Sequence, residues 1–274
     1  MKMKSPYLAS PGKKIRLADL PSEDAGGFKG EESAAPVLVK HRERLAKLQE
    51  VLYAGQQKAV LIVLQGLIVL QGMDTAGKDG TIRHIFSGIN PQGCEVTAFK
   101  VPTPLESRHD FLWRAHAAVP PRGMIGIFNR SHYEDVLSPR VHKVISRKTG
   151  RERLKQINRF EQSLFENNVV ILKFFLHISR GEQTRRLQAR LDDPEKHWKL
   201  SEGDFDERRF WPGYEEAYDD LLSGTSQKHA PWFVIPSDHK WYRNLAISKI
   251  LVEALDTVKM SYPQPSFDTS KVKL

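Results

Sequence analysis

The sequence of 274 residues predicts an α/β fold in which a parallel sheet is covered by helices on both sides. Three observations carry that prediction. Short apolar runs recur at Val60–Gln71, Glu95–Val101, Gly123–Phe128, Val169–Ile178 and Trp232–Pro236, and helical patterns lie between them at Gly80–Phe86, Asp110–Ala118, Arg151–Phe165 and Glu182–Leu191. The runs are apolar on both faces, as in strands buried from both sides. Apolar residues make up 40% of the chain and charged residues 27%, which suits one large α/β domain or two ordinary ones and is too apolar for a disordered chain.

Charge and composition narrow the function. Lys and Arg exceed Asp and Glu to give a net charge of +9, so a polyanionic partner is expected, whether phosphate compound, nucleic acid or anionic membrane. The single cysteine, Cys94, excludes an internal disulfide framework and a cysteine-rich zinc site, and it fits a reducing compartment, with the cytoplasm as the expected location. The basic start of the chain has no apolar stretch behind it, so export is not expected. The longest apolar run, Ala59 to Leu70, is broken by Gln65 and Gly66 and falls short of the roughly 20 residues that cross a bilayer, so no membrane association is expected.

In chain order, residues 1–36 are rich in Gly, Pro, Ser and charge and read as an extended arm that packs locally at most. Residues 37–54 place Val37, Leu38, Leu45, Leu48, Val51 and Leu52 at helical spacing with charge between them, which predicts a helix with one apolar face. The first strand region contains a direct repeat, Leu61-Ile-Val-Leu-Gln-Gly66 followed by Leu67-Ile-Val-Leu-Gln-Gly72. Six is even, so a shift by one copy preserves the faces of a strand, but it adds about 20 Å of extended chain. Either one copy bulges out as a tolerated loop, or the insertion displaces what lies upstream and exposes a β-prone apolar segment.

The second copy runs into Gly72-Met-Asp-Thr-Ala-Gly77-Lys78-Asp79-Gly80, a match to G-x-x-x-x-G-K between a strand and a helical pattern. In such a loop successive backbone N–H groups turn inward as an anion nest at a helix N-terminus, and Lys78 adds a mobile positive charge. Gly72, Thr75, Ala76, Gly77, Lys78, Asp79 and Gly80 are therefore the candidate phosphate cradle. Asp79 occupies the place where a hydroxyl normally coordinates Mg²⁺, so the metal must be held otherwise, and Asp74 is the nearest carboxylate.

A second polar cluster, Asn129-Arg-Ser-His-Tyr-Glu-Asp135, follows the Gly123–Phe128 strand at the end where α/β proteins place ligands. A phosphoryl transferase needs a further acid for Mg²⁺ and a cation for the transferring oxygens, which Glu134, Asp135 and Arg130 supply; a polar helix start is the plainer alternative. Arg140–Arg159 carries eight Lys or Arg against one acid, either a positive binding surface or a solvated helix face. Arg185, Arg186, Arg190, Lys196, Lys199, Arg208 and Arg209, mixed with acids and with Trp198, Phe205 and Trp211, suit a lid over phosphates or a salt-bridged surface helix. No H-E-x-x-H or G-x-S-x-G occurs, and the adjacency of Ser131 and His132 is not that of a nucleophile and its base.

Five segments in order then carry a likeness. Gly72-Met-Asp-Thr-Ala-Gly-Lys-Asp-Gly80, Ser107-Arg-His-Asp-Phe-Leu-Trp-Arg114, Gly126-Ile-Phe-Asn-Arg-Ser-His-Tyr-Glu-Asp-Val-Leu137, Lys196-His-Trp-Lys199 and Ala230-Pro-Trp-Phe-Val-Ile-Pro-Ser-Asp-His-Lys-Trp-Tyr-Arg243 together resemble the type 2 polyphosphate kinases, from about Pro36 to the C-terminus. The resemblance implies a three-layer α/β/α P-loop kinase fold over residues 37–274, related to thymidylate kinase, with a helical lid at about 180–212. It implies Mg²⁺-dependent reversible phosphoryl transfer between inorganic polyphosphate and AMP or ADP, with Mn²⁺ as an alternative ion, guanine nucleotides as alternative acceptors and a homodimer or homotetramer as the assembly. Many members of that family have an aspartate where Asn129 stands, and the Asn form resembles the subgroup that accepts AMP as well as ADP; the metal ligands are then Asp74 with Glu134 or Asp135. The duplicated hexapeptide departs from the family, which has one such strand before its loop. With Lys78 on the reacting phosphate, Arg130 on the transferring group and Arg185, Arg190, Lys196 and Lys199 closing from the lid, the expected catalytic set is Asp74, Lys78, Arg130 and Glu134. The competing readings are an ATP-dependent nucleoside or nucleotide kinase using the same loop, and a basic nucleic-acid-binding protein, for which no recognition motif is present.

Overall fold

The computed structural model describes residues 4–67, 76–200 and 202–272, save the side chain of Asp204. In chain order its elements are α1 (Glu31–Gly55), β1 (Ala59–Gly66), α2 (Lys78–Ile85), β2 (Cys94–Ala98), α3 (Trp113–Ala117), β3 (Ile125–Asn129), α4 (Glu134–Val141), α5 (Arg147–Glu166), β4 (Val169–His177), α6 (Arg180–Leu191), α7 (Glu202–Glu207), α8 (Trp211–Thr225), β5 (Trp232–Pro236) and α9 (Lys240–Asp256). A short 3₁₀ segment, Pro194–Lys199, links α6 to α7.

The strands form one parallel sheet in the order β2-β3-β1-β4-β5. Right-handed crossovers require the β1-to-β2 connection and the rightward β3-to-β4 and β4-to-β5 connections to lie on opposite faces. Accordingly α2 packs with α9 and α1 with α9, while α4, α5 and α8 pack together on the other side. The expected three-layer architecture is present. Every residue of β1 is buried, as is every residue of β4 but Val170. No helix among the described residues is long and apolar enough to cross a membrane.

Four expectations are corrected. The strand expected to reach Gln71 ends at Gly66: the first copy of the repeat fills the sheet, Leu61 pairing with Gly126 and Ile171 and Leu64 with Asn129 and Phe174. Beyond Leu67 the second copy lies outside the described residues. The helix expected from Asp110 begins at Trp113, because the Asp110 carboxylate accepts from the Leu112 N–H at 2.9 Å and bends the chain first. The expected arm boundary at residue 36 falls inside α1, which opens at Glu31 and carries Pro36 within its early turns. The arm is not merely local. Leu8 bridges Phe233 antiparallel, Ala9 N–H donates to the Trp232 carbonyl at 2.9 Å, Val234 N–H donates to that of Tyr7 at 2.8 Å, and Ala9 and Leu17 are buried.

Gly66 and Gly77 are separated by ten residues, and by four once residues 67–72 are removed, with the sequence after Gly66 then reading Met-Asp-Thr-Ala-Gly-Lys. Deleting 67–72 leaves every described β1 contact in place and puts Met73 where the buried Leu67 follows Gly66, and the shorter closure stabilises the fold by about 1 kcal/mol. Urea unfolding measures this; a variant less stable than the parent would show that the second copy contributes packing of its own.

Candidate phosphoryl-transfer site

β1 is flanked by β3 and β4, so the C-terminal ends of these three strands meet where the sheet's connections diverge, the crevice in which doubly wound folds bind ligands. Gly66 closes β1 there, and a Cβ on it would lie 2.5 Å from that of Ala76, so the chain leaves and re-enters the sheet edge at one point. The Tyr218 hydroxyl donates to the Gly66 carbonyl at 2.9 Å. Gly77 then adopts φ +97°, a left-handed conformation that glycine accepts without cost, and α2 begins at Lys78. Lys78 is 2% exposed. Ala76, Gly77, Lys78, Asp79 and Gly80 thus stand together at the helix start, whereas Gly72, Asp74 and Thr75 lie outside the described residues.

The polar cluster after β3 meets this helix start. Asn129 Nδ2 donates to Asp79 Oδ1 at 2.6 Å, so the aspartate in the usual hydroxyl position is bonded to the asparagine that stands at the strand end. Arg130 follows at φ +64°, a conformation costly for a side chain with a Cβ and characteristic of functional turns. With its amide nitrogen toward Glu134, Gln65 donates to Glu134 Oε1 at 2.9 Å and accepts from Ser131 Oγ at 2.9 Å. Burial pushes the Glu134 carboxyl up to about 7, against the opposing pull of Arg130 and Lys78. Asp135 Oδ2 lies 2.8 Å from Arg114 Nη2.

Among the described residues no three His, Cys, Asp or Glu side chains could together hold a metal ion. Mg²⁺ requires less: one or two carboxylates, with waters and substrate phosphates completing the octahedron. Glu134 supplies one such carboxylate at the C-terminal end of β1, and a divalent cation against it would favour its charged form.

Behind the cluster lies a network with no exposure to solvent. Lys173 Nζ on β4 donates to Glu161 Oε2 at 2.5 Å, to the Tyr133 hydroxyl at 2.9 Å and to the Thr225 carbonyl at 2.8 Å. Tyr133 donates to Glu161 Oε1 at 2.8 Å, and His132 Nε2 lies 3.3 Å from the same oxygen. Burial disfavours the Glu161 charge, yet the ammonium against it holds the carboxyl below its ordinary range. The network therefore anchors His132 and Tyr133, two of the three residues between Arg130 and Glu134. Its members come from three elements and a turn, and only their chemistry, two opposite charges inside apolar patterns, offered a sequence signal.

A cleft of about 810 Å³ opens beside Gly77 and Gly80, between α2, α6, the Pro194–Lys199 segment, the start of α9 and the first turns of α1. Of the lid-stretch cations, Arg185, Arg186, Arg190, Lys196 and Lys199 line it and Arg208 and Arg209 do not; Lys240 and Arg243, which had no assigned role, join them. These seven cations face four carboxylates, and burial followed by the charges of Arg186 and Arg243 holds the Lys240 ammonium below its ordinary range. Arg185 also pairs with Glu182 at 2.8 Å and Lys196 with Asp193 at 2.5 Å. The basic stretch 140–159 does not line the cleft: Arg140 pairs with Asp220 at 2.5 Å, Arg147 with Glu216, and Arg153 donates to the Asp135 carbonyl at 2.6 Å. Lys148, Arg151, Lys155 and Arg159 stand exposed on α5, away from that cleft.

The family model for polyphosphate kinase 2 matches residues 31–263. An AMP/ADP-polyphosphate phosphotransferase of Meiothermus ruber is 47% identical over 267 residues, covering 97% of this chain and 98% of that protein. An ADP-polyphosphate phosphotransferase of Rhodopseudomonas palustris is 42% identical over 277 residues, covering 96% and 94%. The crystal structure of polyphosphate kinase 2 from Arthrobacter aurescens TC1 superposes with a TM-score of 0.89 at 41% identity, covering 96% of this chain and 95% of that one.

Two stability measurements test the site. The folded protein holds the Glu134 proton more tightly than the unfolded chain, so the associated stability is complete below about pH 4.5 and lost as pH rises through about 7. Glu134→Gln, which does not titrate, gains on the parent by up to about 3 kcal/mol at pH 8 and loses that advantage by pH 4.5; a difference constant across that range rules the shift out. Lys173→Met leaves a buried carboxylate without its cation and costs about 3–5 kcal/mol in urea unfolding, most of it recovered when Glu161 is also made apolar.

Proposed function

The chain belongs to the polyphosphate kinase 2 family, and on that premise we propose that it transfers the terminal phosphoryl group of inorganic polyphosphate reversibly to AMP and to ADP. The observation that carries this reading is the turn from Gly77 into the buried Lys78, opening directly on a cleft with seven Lys and Arg side chains. A cleft so charged suits a polymer carrying about one negative charge per phosphate, bound with strong salt dependence as nucleic acids are. The name of the Meiothermus ruber relative, 47% identical, supports both acceptors. Guanine nucleotides are the alternative acceptors; one relative 31% identical is named for GDP.

The residues divide the work as follows. The amides at the start of α2, with Lys78, hold the phosphate at the reacting end, and the sequence motif assigns Gly72 and Thr75 to the same role. Arg130, fixed by its backbone beside the C-terminal end of β1, stabilises the transferring group. Glu134, with Asp74 and the second oxygen of Asp135, would hold a divalent cation, Mg²⁺ with Mn²⁺ as its substitute. When bound, that ion neutralises charge on the phosphate oxygens. Arg185, Arg190, Lys196 and Lys199 bind the chain of phosphates from the α6 side and exclude water as this segment closes. Transfer is direct and in line, so positioning and charge neutralisation supply the rate. The reaction is placed in the cytoplasm, with a homodimer or homotetramer as the working assembly.

Purified protein given Mg²⁺, long-chain polyphosphate and AMP is expected to form ADP and then ATP, resolved by chromatography. Activity only with ATP and a nucleoside would replace this reading by that of an ATP-dependent kinase. Lys78→Ala lowers kcat/KM at least about 30-fold, the equivalent of about 2 kcal/mol of transition-state stabilisation; activity within a factor of two of the parent would refute its role.

A further inference from the structure

The carbonyl of Ala76, the last residue before the Gly77–Lys78 turn, accepts from two guanidinium groups at once, Arg186 Nη1 and Arg243 Nη1, each at 3.2 Å. Both arginines are held from behind. Arg186 Nε donates to Glu182 Oε1 at 2.6 Å, and its Nη2 donates to the carbonyls of Ser237 at 2.6 Å and Asp238 at 3.1 Å. Arg243 donates from Nε and Nη2 to Asn244 Oδ1 at 3.1 and 2.9 Å. Arg186 is 8% exposed and Arg243 2%. Arg243 also approaches the turn closely, since a Cβ on Gly77 would be 1.8 Å from its Nη1. Two forked cations converging on one neutral carbonyl exceed what a helix start needs for its own stability.

We infer that Arg186 and Arg243 are positioning residues that aim the Gly77 N–H at the phosphate. The inference rests on the phosphate-binding reading of this turn. In a trans peptide the C=O and N–H point in opposite directions. Holding the Ala76 oxygen on the guanidinium pair therefore fixes the Gly77 N–H on the other side, as an oriented donor at the N-terminus of α2. The same contacts draw the negative end of that peptide dipole away from an arriving anion and, by polarising the peptide, strengthen its N–H as a donor. Arg186 stands on α6 between Arg185 and Arg190, so the helix bearing three of the cleft's cations is tied to the phosphate turn through the Ala76 carbonyl.

The test uses the full-length protein with AMP and polyphosphate. Arg243→Lys keeps the charge and loses the fork. The expected result is a fall in kcat of about tenfold, the worth of one charge-assisted hydrogen bond, with the polyphosphate KM and its salt dependence unchanged. Millimolar guanidinium ion is expected to restore part of the rate of Arg243→Ala and none of the rate of Lys78→Ala. A raised KM with a salt slope smaller by about one, at parental kcat, would make Arg243 a direct phosphate ligand and overturn the inference. Unchanged constants would overturn it as well. Should thermal unfolding show that Arg243→Lys does not fold, Arg186→Lys carries the same comparison, and a parental kcat there defeats the proposal. A parent inactive with polyphosphate would defeat the underlying reading instead, and the kcat comparison then moves to ATP and nucleoside.

Discussion

The site at the C-terminal edge of the sheet depends on a charge placed where a charge is costly. Lys173 projects from a strand among side chains with no solvent exposure, and it is tolerable there only because Glu161, Tyr133 and the Thr225 carbonyl surround its ammonium. Those same partners hold His132 and Tyr133, so the price of burying one ion pair is also what braces the turn between the strained Arg130 and Glu134. An apolar pair would stabilise as well, but it could not specify by hydrogen bonds where Tyr133 and His132 sit.

From that anchor the chemistry runs outward through short contacts. Glu134 reaches Gln65 at the end of β1, Asn129 at the end of β3 reaches Asp79 on α2, and Ala76 reaches α6 and α9 through two arginines. β1 and β3 thus each deliver a polar group at their C-terminal ends, Gln65 and Asn129. The electrostatic character changes across that edge, from a carboxyl that burial makes reluctant to ionise on one side to a cation-lined cleft on the other, where burial and then Arg186 and Arg243 hold the Lys240 ammonium below its ordinary range.

The legible parts of the chain were those written in local spacing. The Gly77-Lys78 turn between apolar strand and helix, the cations at 185, 190, 196 and 199, and the acids after β3 follow from neighbours in sequence, and the structure brings the described ones to one edge. What could not be read depends on partners far apart. Glu161 and Lys173 carry no motif, Arg243 acts on a residue 167 positions away, and the arm's pairing spans the chain. The repeat had two readings because its copies are identical; context breaks the tie. Shifting β1 by six would place Gln65 and Gly66 where Ala59 and Val60 now stand almost fully buried, hiding an amide and removing an isopropyl group from the core.

The bridge between Leu8 and Phe233 joins nearly the first described residues to the last strand. On a ribosome that partner does not exist until some 225 residues later, roughly 10–45 s at ordinary elongation rates. Throughout that interval the sheet is growing with one edge bare and the arm is waiting. Glycines, prolines and charges within residues 4–30 keep such a waiting segment from pairing prematurely, so the composition that made it look featureless is what lets it close the edge last.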